Sequence, residues 1–159
     1  MSIESRISRF IAELRDRRYP TLLVVQNQKQ PITVEIIESV AKENGLRYID
    51  YRNEVLKVED TFVTLGAYLR NEFREWLRDE AVKYGGLIVD KSDDLISTWP
   101  EEERRAFLKD FLHLECRSKD NPNKGVPIIL ISRFPTQIEL PTEERGQGIL
   151  YNPAIDAEL

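Results

Sequence analysis

The spacing of apolar and polar positions predicts helices and strands that alternate along the chain. Near the start, apolar residues recur at helical spacing at Ile3, Ile7, Phe10, Ile11 and Leu14. This spacing predicts an amphipathic helix over residues 3–17. Runs rich in apolar residues predict strands at residues 22–25, 46–51, 87–90 and 126–132. Further helices are predicted over residues 33–44, from about residue 65 to 84, and from residue 101 onward.

Signals at the helix ends support these boundaries. Tyr19-Pro20 ends the first predicted helix, and Gly45 is well placed to end the second. Pro100 followed by three glutamates predicts a helix start, because acidic side chains complement the positive end of the helix dipole.

Alternating helices and fully apolar strands predict an α/β fold with a doubly wound parallel sheet, that is, a three-layer sandwich. The length of 159 residues suits a single domain. We expect a helix at residues 1–19, a core at residues 20–146 and an irregular tail at residues 147–159.

Polar residues follow three of the predicted strands, where ligands bind in sheets of this kind. The segment from Gln26 to Thr33 is spaced like the phosphate-binding P-loop, G-x-x-x-x-G-K-[ST]. Gln26 and Pro31 occupy the two glycine positions, Ile32 the lysine position, and only Thr33 matches the pattern. The other two strands end at Asp90 and Ser132.

The order of these three elements resembles the AAA+ type of P-loop ATPase. In that family Walker A, Walker B and sensor 1 follow one another as residues 26–33, Asp90 and Ser132 do here. Residues 86–95 read GLIVDKSDDL, similar to the Walker B strand with its D-E-x-D sequence and following helix. Residues 133–145 read RFPTQIELPTEER, similar to the segment after sensor 1. The resemblance covers residues 20–150, and we expect the family's helical lid to be absent.

The resemblance implies a nucleotide site that has lost its chemistry. Pro31 offers no N–H to a phosphate, and Ile32 replaces the cation that would neutralise it. Thr33 and Asp90 retain the two magnesium-binding positions, whereas Lys91 replaces the glutamate that activates water. We therefore expect no hydrolysis and neither ATP nor magnesium as a cofactor, although Lys29 is a candidate for a displaced phosphate-binding lysine. Any residual nucleotide contact would involve Gln26, Lys29, Thr33, Asp90 and Ser132.

Two interpretations compete with this one. The loop need not descend from a nucleotide site, since a threonine at this position also caps a helix. The second alternative is an enzyme. It would be either a weak ATPase without a lid or a hydrolase in which Asp90 and Asp93 hold a metal. No histidine or cysteine at useful spacing supports a metal centre, and His113 and Cys116 are expected to be structural.

Charge and composition restrict the partners. The net charge of −5 gives the molecule no overall attraction for nucleic acid. Arg15, Arg17 and Arg18 form a local exception, so a nucleic-acid-binding module is a further alternative. The single cysteine fits a reducing cytoplasm, and the sequence contains neither a signal peptide nor an apolar run long enough to span a membrane.

We therefore expect a pseudo-ATPase that acts as an interaction or regulatory subunit. Its partner would be an active ATPase or another copy of the chain. By analogy with arginine fingers, Arg133 and Arg145 are the candidate partner-binding cations, and Trp99 beside Pro100 is a candidate exposed anchor. Small proteins of this layout also accompany larger ATPases in phage-defence systems of the BREX kind, which makes such an assembly a candidate setting.

Overall fold

The computed structural model describes residues 2–26, 31–56, 70–132 and 147–151. Five helices and five strands alternate through most of this part of the chain. In order they are α1 (Ile3–Leu14), β1 (Thr21–Val25), α2 (Val34–Asn44), β2 (Arg47–Asp50), α3 (Arg70–Tyr84), β3 (Leu87–Asp90), α4 (Asp93–Ile96), α5 (Glu101–Phe111), β4 (Ile128–Ser132) and β5 (Ile149–Tyr151). A π-helical turn, Arg52–Leu56, follows β2.

The five strands form one parallel sheet in the order β2-β3-β4-β1-β5. Helices cover both faces. One face packs against α1 and α2, and the other packs against α3, α4 and α5. Alternate residues of β1 serve the two faces, with Leu22 and Val24 in one core and Leu23 and Val25 in the other. The predicted α/β class, the parallel sheet and the helical layers on both faces are confirmed.

Local capping explains where α2 begins and ends. The hydroxyl oxygen of Thr33 accepts a hydrogen bond from the backbone N–H of Ile36 at 3.3 Å, which satisfies one donor of the first turn. At the other end Gly45 adopts a left-handed conformation, with φ of +67°. Glycine suits this position because it has no Cβ to clash there. The sequence placed both ends of this helix correctly.

Two boundaries differ from the prediction. The first helix ends at Leu14 rather than at residue 17, and Arg15 is its C-cap. The tail expected from residue 147 is not irregular throughout, because Ile149–Tyr151 is a strand that pairs with β1. The start of the third predicted helix, near residue 65, lies outside the described residues.

Within the described residues, no helix combines the length and the apolar character needed to cross a membrane.

Candidate functional site: the crevice at the carboxyl ends of β1, β4 and β3

The carboxyl ends of β1, β4 and β3 lie side by side, because β4 separates the other two strands. After β1 the chain crosses one face of the sheet through α2, whereas β4 is reached along the other face through α5. This change of direction between neighbouring strands marks the usual ligand crevice of an open α/β sheet. The backbone N–H of Gln26 donates to the carbonyl oxygen of Ser132 at 2.8 Å, which joins the two strands at this point.

The residue at the lysine position of the P-loop pattern is buried. Ile32 has no exposed surface and belongs to the apolar core between the sheet and helices α1 and α2. The neighbouring Pro31 and Thr33 are exposed, and the Thr33 hydroxyl caps α2. The side chain that would meet a phosphate in the pattern is therefore part of the core. Lys29 lies outside the described residues.

Asp90 ends β3 on the same side of the sheet and is fully buried. The hydroxyl of Tyr48, on the neighbouring strand β2, lies 3.5 Å from Oδ2 of Asp90. Burial of a carboxylate is costly unless polar groups surround it, and the tyrosine hydroxyl is one such group.

Lys91, at the position of the catalytic glutamate, is held by an acidic neighbour. Its Nζ lies 2.9 Å from Oδ2 of Asp50, the last residue of β2, and both side chains are largely buried. Asp50 and Asp90 are partners in the parallel ladder, so the turn after β3 brings Lys91 next to the end of β2. Among the residues that the structure describes, Lys91 is the one non-glycine residue with a positive φ, +63°. This backbone conformation is unfavourable for a side chain with a Cβ.

The hydrogen bonds around Asp50 change its acidity. Burial alone raises the pKa of this carboxyl. Hydrogen bonds from Lys91 and Asn53 act in the opposite direction and outweigh burial, so the pKa of Asp50 lies below its usual value. Asp50 therefore carries its negative charge at neutral pH, when it balances the Lys91 ammonium.

Two further aspartates, at the start of α4, also have polar partners. Asp93 is buried, and its Oδ1 accepts a hydrogen bond from the Ser132 hydroxyl at 3.2 Å. Asp94 forms a two-point ion pair with the guanidinium of Arg52, with Nη2 and Oδ1 3.0 Å apart. The hydrogen bond and the charge of Asp94 raise the pKa of Arg52, whereas burial lowers it. The effect of Asp94 is the larger one, so the pKa of Arg52 lies above its usual value.

In the described part of the chain, no cluster of three histidine, cysteine, aspartate or glutamate side chains is arranged to hold a metal ion.

The structure places four of the sequence-predicted site residues at the crevice. Gln26 and Asp93 each form a hydrogen bond with Ser132, and Asp90 ends the strand next to β4. Arg133 and Arg145 lie outside the described residues. The sequence did not predict a role at the site for Asp50, Tyr48 or Arg52. Asp50 could have been found, because it ends β2 beside Asp90 and ligands bind at the carboxyl ends of such strands.

The three arginines after α1 precede the amino end of β1, at the opposite end of this strand from the crevice. Each binds a group of this same chain. Arg15 donates to the carbonyl oxygen of Asn44 at 3.4 Å, Arg17 donates to that of Gln147 at 3.1 Å, and Arg18 pairs with Glu115 at 2.7 Å. These contacts join the segment before β1 to neighbouring parts of the fold, and the nucleic-acid-binding alternative for these arginines stays a prediction.

Trp99 is not an exposed anchor. It is only 6% exposed and packs edge-on against Phe73 and Phe107, between α3 and α5. The expectation that it is available to a partner is wrong, because the turn before Pro100 directs the indole into the core.

Comparison with known proteins gives no match to this chain: no family model, no curated protein and no solved structure is similar enough to count as one. The geometry of the crevice is therefore the basis on which a function is inferred.

Proposed function

We propose that the chain is a non-catalytic, AAA+-like domain that acts as an interaction or regulatory subunit of a larger assembly. The observation that carries this proposal is the pair of residues found in place of the lysine and the glutamate of the ATPase pattern. Ile32 is buried in the core where the pattern requires a phosphate-binding lysine, and Lys91 is paired with Asp50 where the pattern requires a water-activating glutamate.

The buried isoleucine argues against phosphate binding by this loop. A phosphate needs backbone N–H groups and a cation that face it. Ile32 is an apolar side chain buried in the core, and Pro31 has no N–H to offer. The segment before α2 thus contributes to the stability of the fold instead of cradling an anion.

The Lys91–Asp50 pair argues against catalysis. A general base must accept a proton from water, and an ammonium cannot do so. The carboxylate of Asp50, whose pKa is lowered, holds the Lys91 ammonium at 2.9 Å. Asp93 lies near the end of β4, and its carboxyl group accepts a hydrogen bond from the Ser132 hydroxyl.

A domain of this kind would act through its surface. The resemblance to AAA+ proteins makes an active ATPase the first partner to test, with Arg133 and Arg145 as the cations that would face its nucleotide. Small proteins of this layout also accompany larger ATPases in BREX-like phage-defence systems, so the ATPase of such a system is one candidate partner.

Nucleotide binding is tested by calorimetry and thermal unfolding with Mg-ATP and Mg-ADP. We expect neither heat of binding nor a shift in melting temperature, and no turnover of ATP. Asp90→Asn and Lys29→Ala serve as reference variants. Saturable binding lost in Lys29→Ala, or turnover lost in Asp90→Asn, would support the alternative of a weak ATPase and overturn the proposal.

Partner binding is tested by affinity capture from the native host, followed by an ATPase assay of any captured ATPase. We expect the wild-type chain to change the ATPase rate, and Arg133→Ala or Arg145→Ala to reduce that effect. Arg105→Ala is the matched control, since Arg105 is exposed on α5 and pairs with Glu101 one turn away. Equal behaviour of all three variants would exclude an arginine-finger role.

A further inference from the structure

The junction between β3 and α4, residues 91–94, departs from local conformational preferences at two successive residues. Lys91 has a φ of +63°, which a residue with a Cβ adopts only at a cost. Ser92 is the N-cap of α4. Its hydroxyl oxygen is buried and, among the described residues, has no hydrogen-bond partner, the backbone of α4 included. Backbone strain and an unpaired buried hydroxyl both raise the energy of this junction.

Two other helices begin at a hydroxyl residue, and both show what Ser92 lacks. Ser2, the N-cap of α1, and Thr33, the N-cap of α2, have extended backbones with ψ of 160°. Their hydroxyl oxygens accept hydrogen bonds from the backbone N–H three residues later, at 3.1 and 3.3 Å. Ser92 instead has ψ of −9°, a helical value. Rotation of its backbone to the extended conformation would let its hydroxyl cap α4 in the same way.

Two ion pairs hold the junction in the observed conformation. Lys91 pairs with Asp50 at the end of β2, and Asp94 pairs with Arg52 in the π-helical turn. The side chains of the Lys91–Asp50 pair are 23% and 14% exposed, whereas those of the Arg52–Asp94 pair are 41% and 25% exposed. An ion pair that is better shielded from water is stronger. The main restraint therefore acts at Lys91, the residue with the strained backbone.

We propose that this junction is a two-state switch, which the ion pair between Lys91 and Asp50 holds in the observed state. In the second state the backbone of Lys91 leaves the left-handed region, and the Ser92 hydroxyl caps α4. Two states of similar energy are expected where local preferences and tertiary contacts oppose each other. Loss of the ion pair removes the tertiary side of this balance, so that the second state becomes populated.

The switch connects the end of β2 with the crevice. Asp93 directly follows Ser92, and its Oδ1 accepts a hydrogen bond from the Ser132 hydroxyl at 3.2 Å. The carbonyl oxygen of Ser132 in turn accepts from the backbone N–H of Gln26 at 2.8 Å. A change in the backbone at Ser92 therefore alters the contact of Asp93 with the end of β4. An event at Asp50 thus affects the crevice, although β3 separates β2 from β4.

Two variants of Lys91 separate the ion pair from the backbone strain. Lys91→Met and Lys91→Gly both lose the ion pair, but methionine keeps the strain, whereas glycine adopts a positive φ readily. Relaxation-dispersion NMR of the amides of residues 91–96 measures exchange with a second state. We expect clear exchange in Lys91→Met. In Lys91→Gly the second state should be about tenfold less populated, because the left-handed backbone no longer carries its cost.

A second pair of variants tests the cap and the acidic partner. Asp50→Asn should show the same exchange as Lys91→Met, at residues 91–96 and at the amide of Ser132. Addition of Ser92→Ala to Asp50→Asn should abolish it, because alanine cannot cap a helix. Asp110→Asn is the matched control, since Asp110 pairs with Arg74 on α3, away from the junction. Its spectrum at residues 91–96 should be that of wild type.

Four results would overturn the proposal. Equal exchange in Lys91→Gly and Lys91→Met would show that backbone strain does not drive the change. Exchange that persists after Ser92→Ala would exclude the cap. A folded Asp50→Asn protein without exchange at residues 91–96 would exclude the restraint by the ion pair, and exchange there without any at Ser132 would exclude the connection to the crevice. If Lys91→Met does not fold, Asp50→Asn provides the comparison with Lys91→Gly.

Discussion

The ammonium of Lys91 lies 2.9 Å from Oδ2 of Asp50, and this pair joins the turn after β3 to the carboxyl end of β2. The two strands already share a parallel ladder, so the pair adds a side-chain link where the ladder ends. It also compensates for the unfavourable left-handed backbone of Lys91. Lys91 is thus a structural contact between the ends of two neighbouring strands.

Asp50→Asn is expected to lower the free energy of unfolding at neutral pH by about 1–3 kcal/mol, because the charged acceptor of Lys91 is lost. The folded-state pKa of Asp50 lies below its unfolded value. Its contribution is therefore present above the unfolded pKa, about 3.9 for aspartate, and is lost as the pH falls through the folded pKa. Urea denaturation at several pH values measures this, and the difference between wild type and Asp50→Asn should shrink in acid.

The control for this prediction is Asp120→Asn, in the exposed loop after Cys116. It should change stability by less than about 0.5 kcal/mol, as is usual for surface substitutions. A stability deficit in Asp50→Asn that persists unchanged into strong acid would show that the Asp50 charge is not its cause.

Ile32→Lys restores the lysine of the P-loop pattern and is expected to destabilise the protein by about 3–5 kcal/mol, because it buries an unpaired charge. Ile32→Val should cost only about 0.5–1.5 kcal/mol. Chemical denaturation compares the two variants, and calorimetry checks whether either binds Mg-ATP. A stable Ile32→Lys protein that binds nucleotide would mean that the side chain at this position reaches the crevice.

Ser132→Ala removes the hydroxyl that donates to the buried Asp93. We expect a loss of about 1–3 kcal/mol, since the carboxylate remains buried with one donor fewer. Ser97→Ala is the comparison, because the Ser97 hydroxyl is exposed and donates only to a nearby backbone carbonyl at 3.4 Å. If the two variants lose equal stability in denaturant titrations, the Ser132–Asp93 bond does not matter to the fold.

The Cys116 thiol is expected to react slowly with alkylating reagents while the protein is folded. Burial raises its pKa to about 11, so that at pH 8 only about one thiol in a thousand is the reactive thiolate. Mass spectrometry after iodoacetamide treatment should show modification that rises with denaturant along the unfolding curve. Rapid labelling in native buffer, at a rate close to that of the unfolded chain, would contradict the buried position.

The elements with strong local signals were the ones that the sequence predicted well. The apolar run at residues 22–25 matches β1, and the cap of α2 at Thr33 and its end at Gly45 follow from the chemistry of those two residues. The sequence also placed Asp90 at the end of β3, because the apolar run before it ends at this residue. These signals depend on neighbouring residues in the chain and need no knowledge of the tertiary contacts.

The features that sequence missed depend on contacts between distant segments. Strand β5 has only three residues, and its identity comes from pairing with β1. The inward orientation of Ile32 depends on α1 and α2 closing over it, and the burial of Trp99 depends on Phe73 and Phe107. The Lys91–Asp50 pair required the β2–β3 register, which no local pattern specifies.

The position of β1 inside the sheet has a consequence for how the chain folds. Its two neighbours are the last two strands of the described chain, with Thr21 opposite Ile128 and Leu22 opposite Ile149. During synthesis, the first strand to emerge therefore has no partner strand until the last ones are made, and its four apolar side chains, at residues 22–25, stay uncovered by them in the meantime. Such long-range pairing slows folding and prolongs the time in which nascent chains aggregate. We expect this protein to be more vulnerable to aggregation while it is being made than after its sheet has closed.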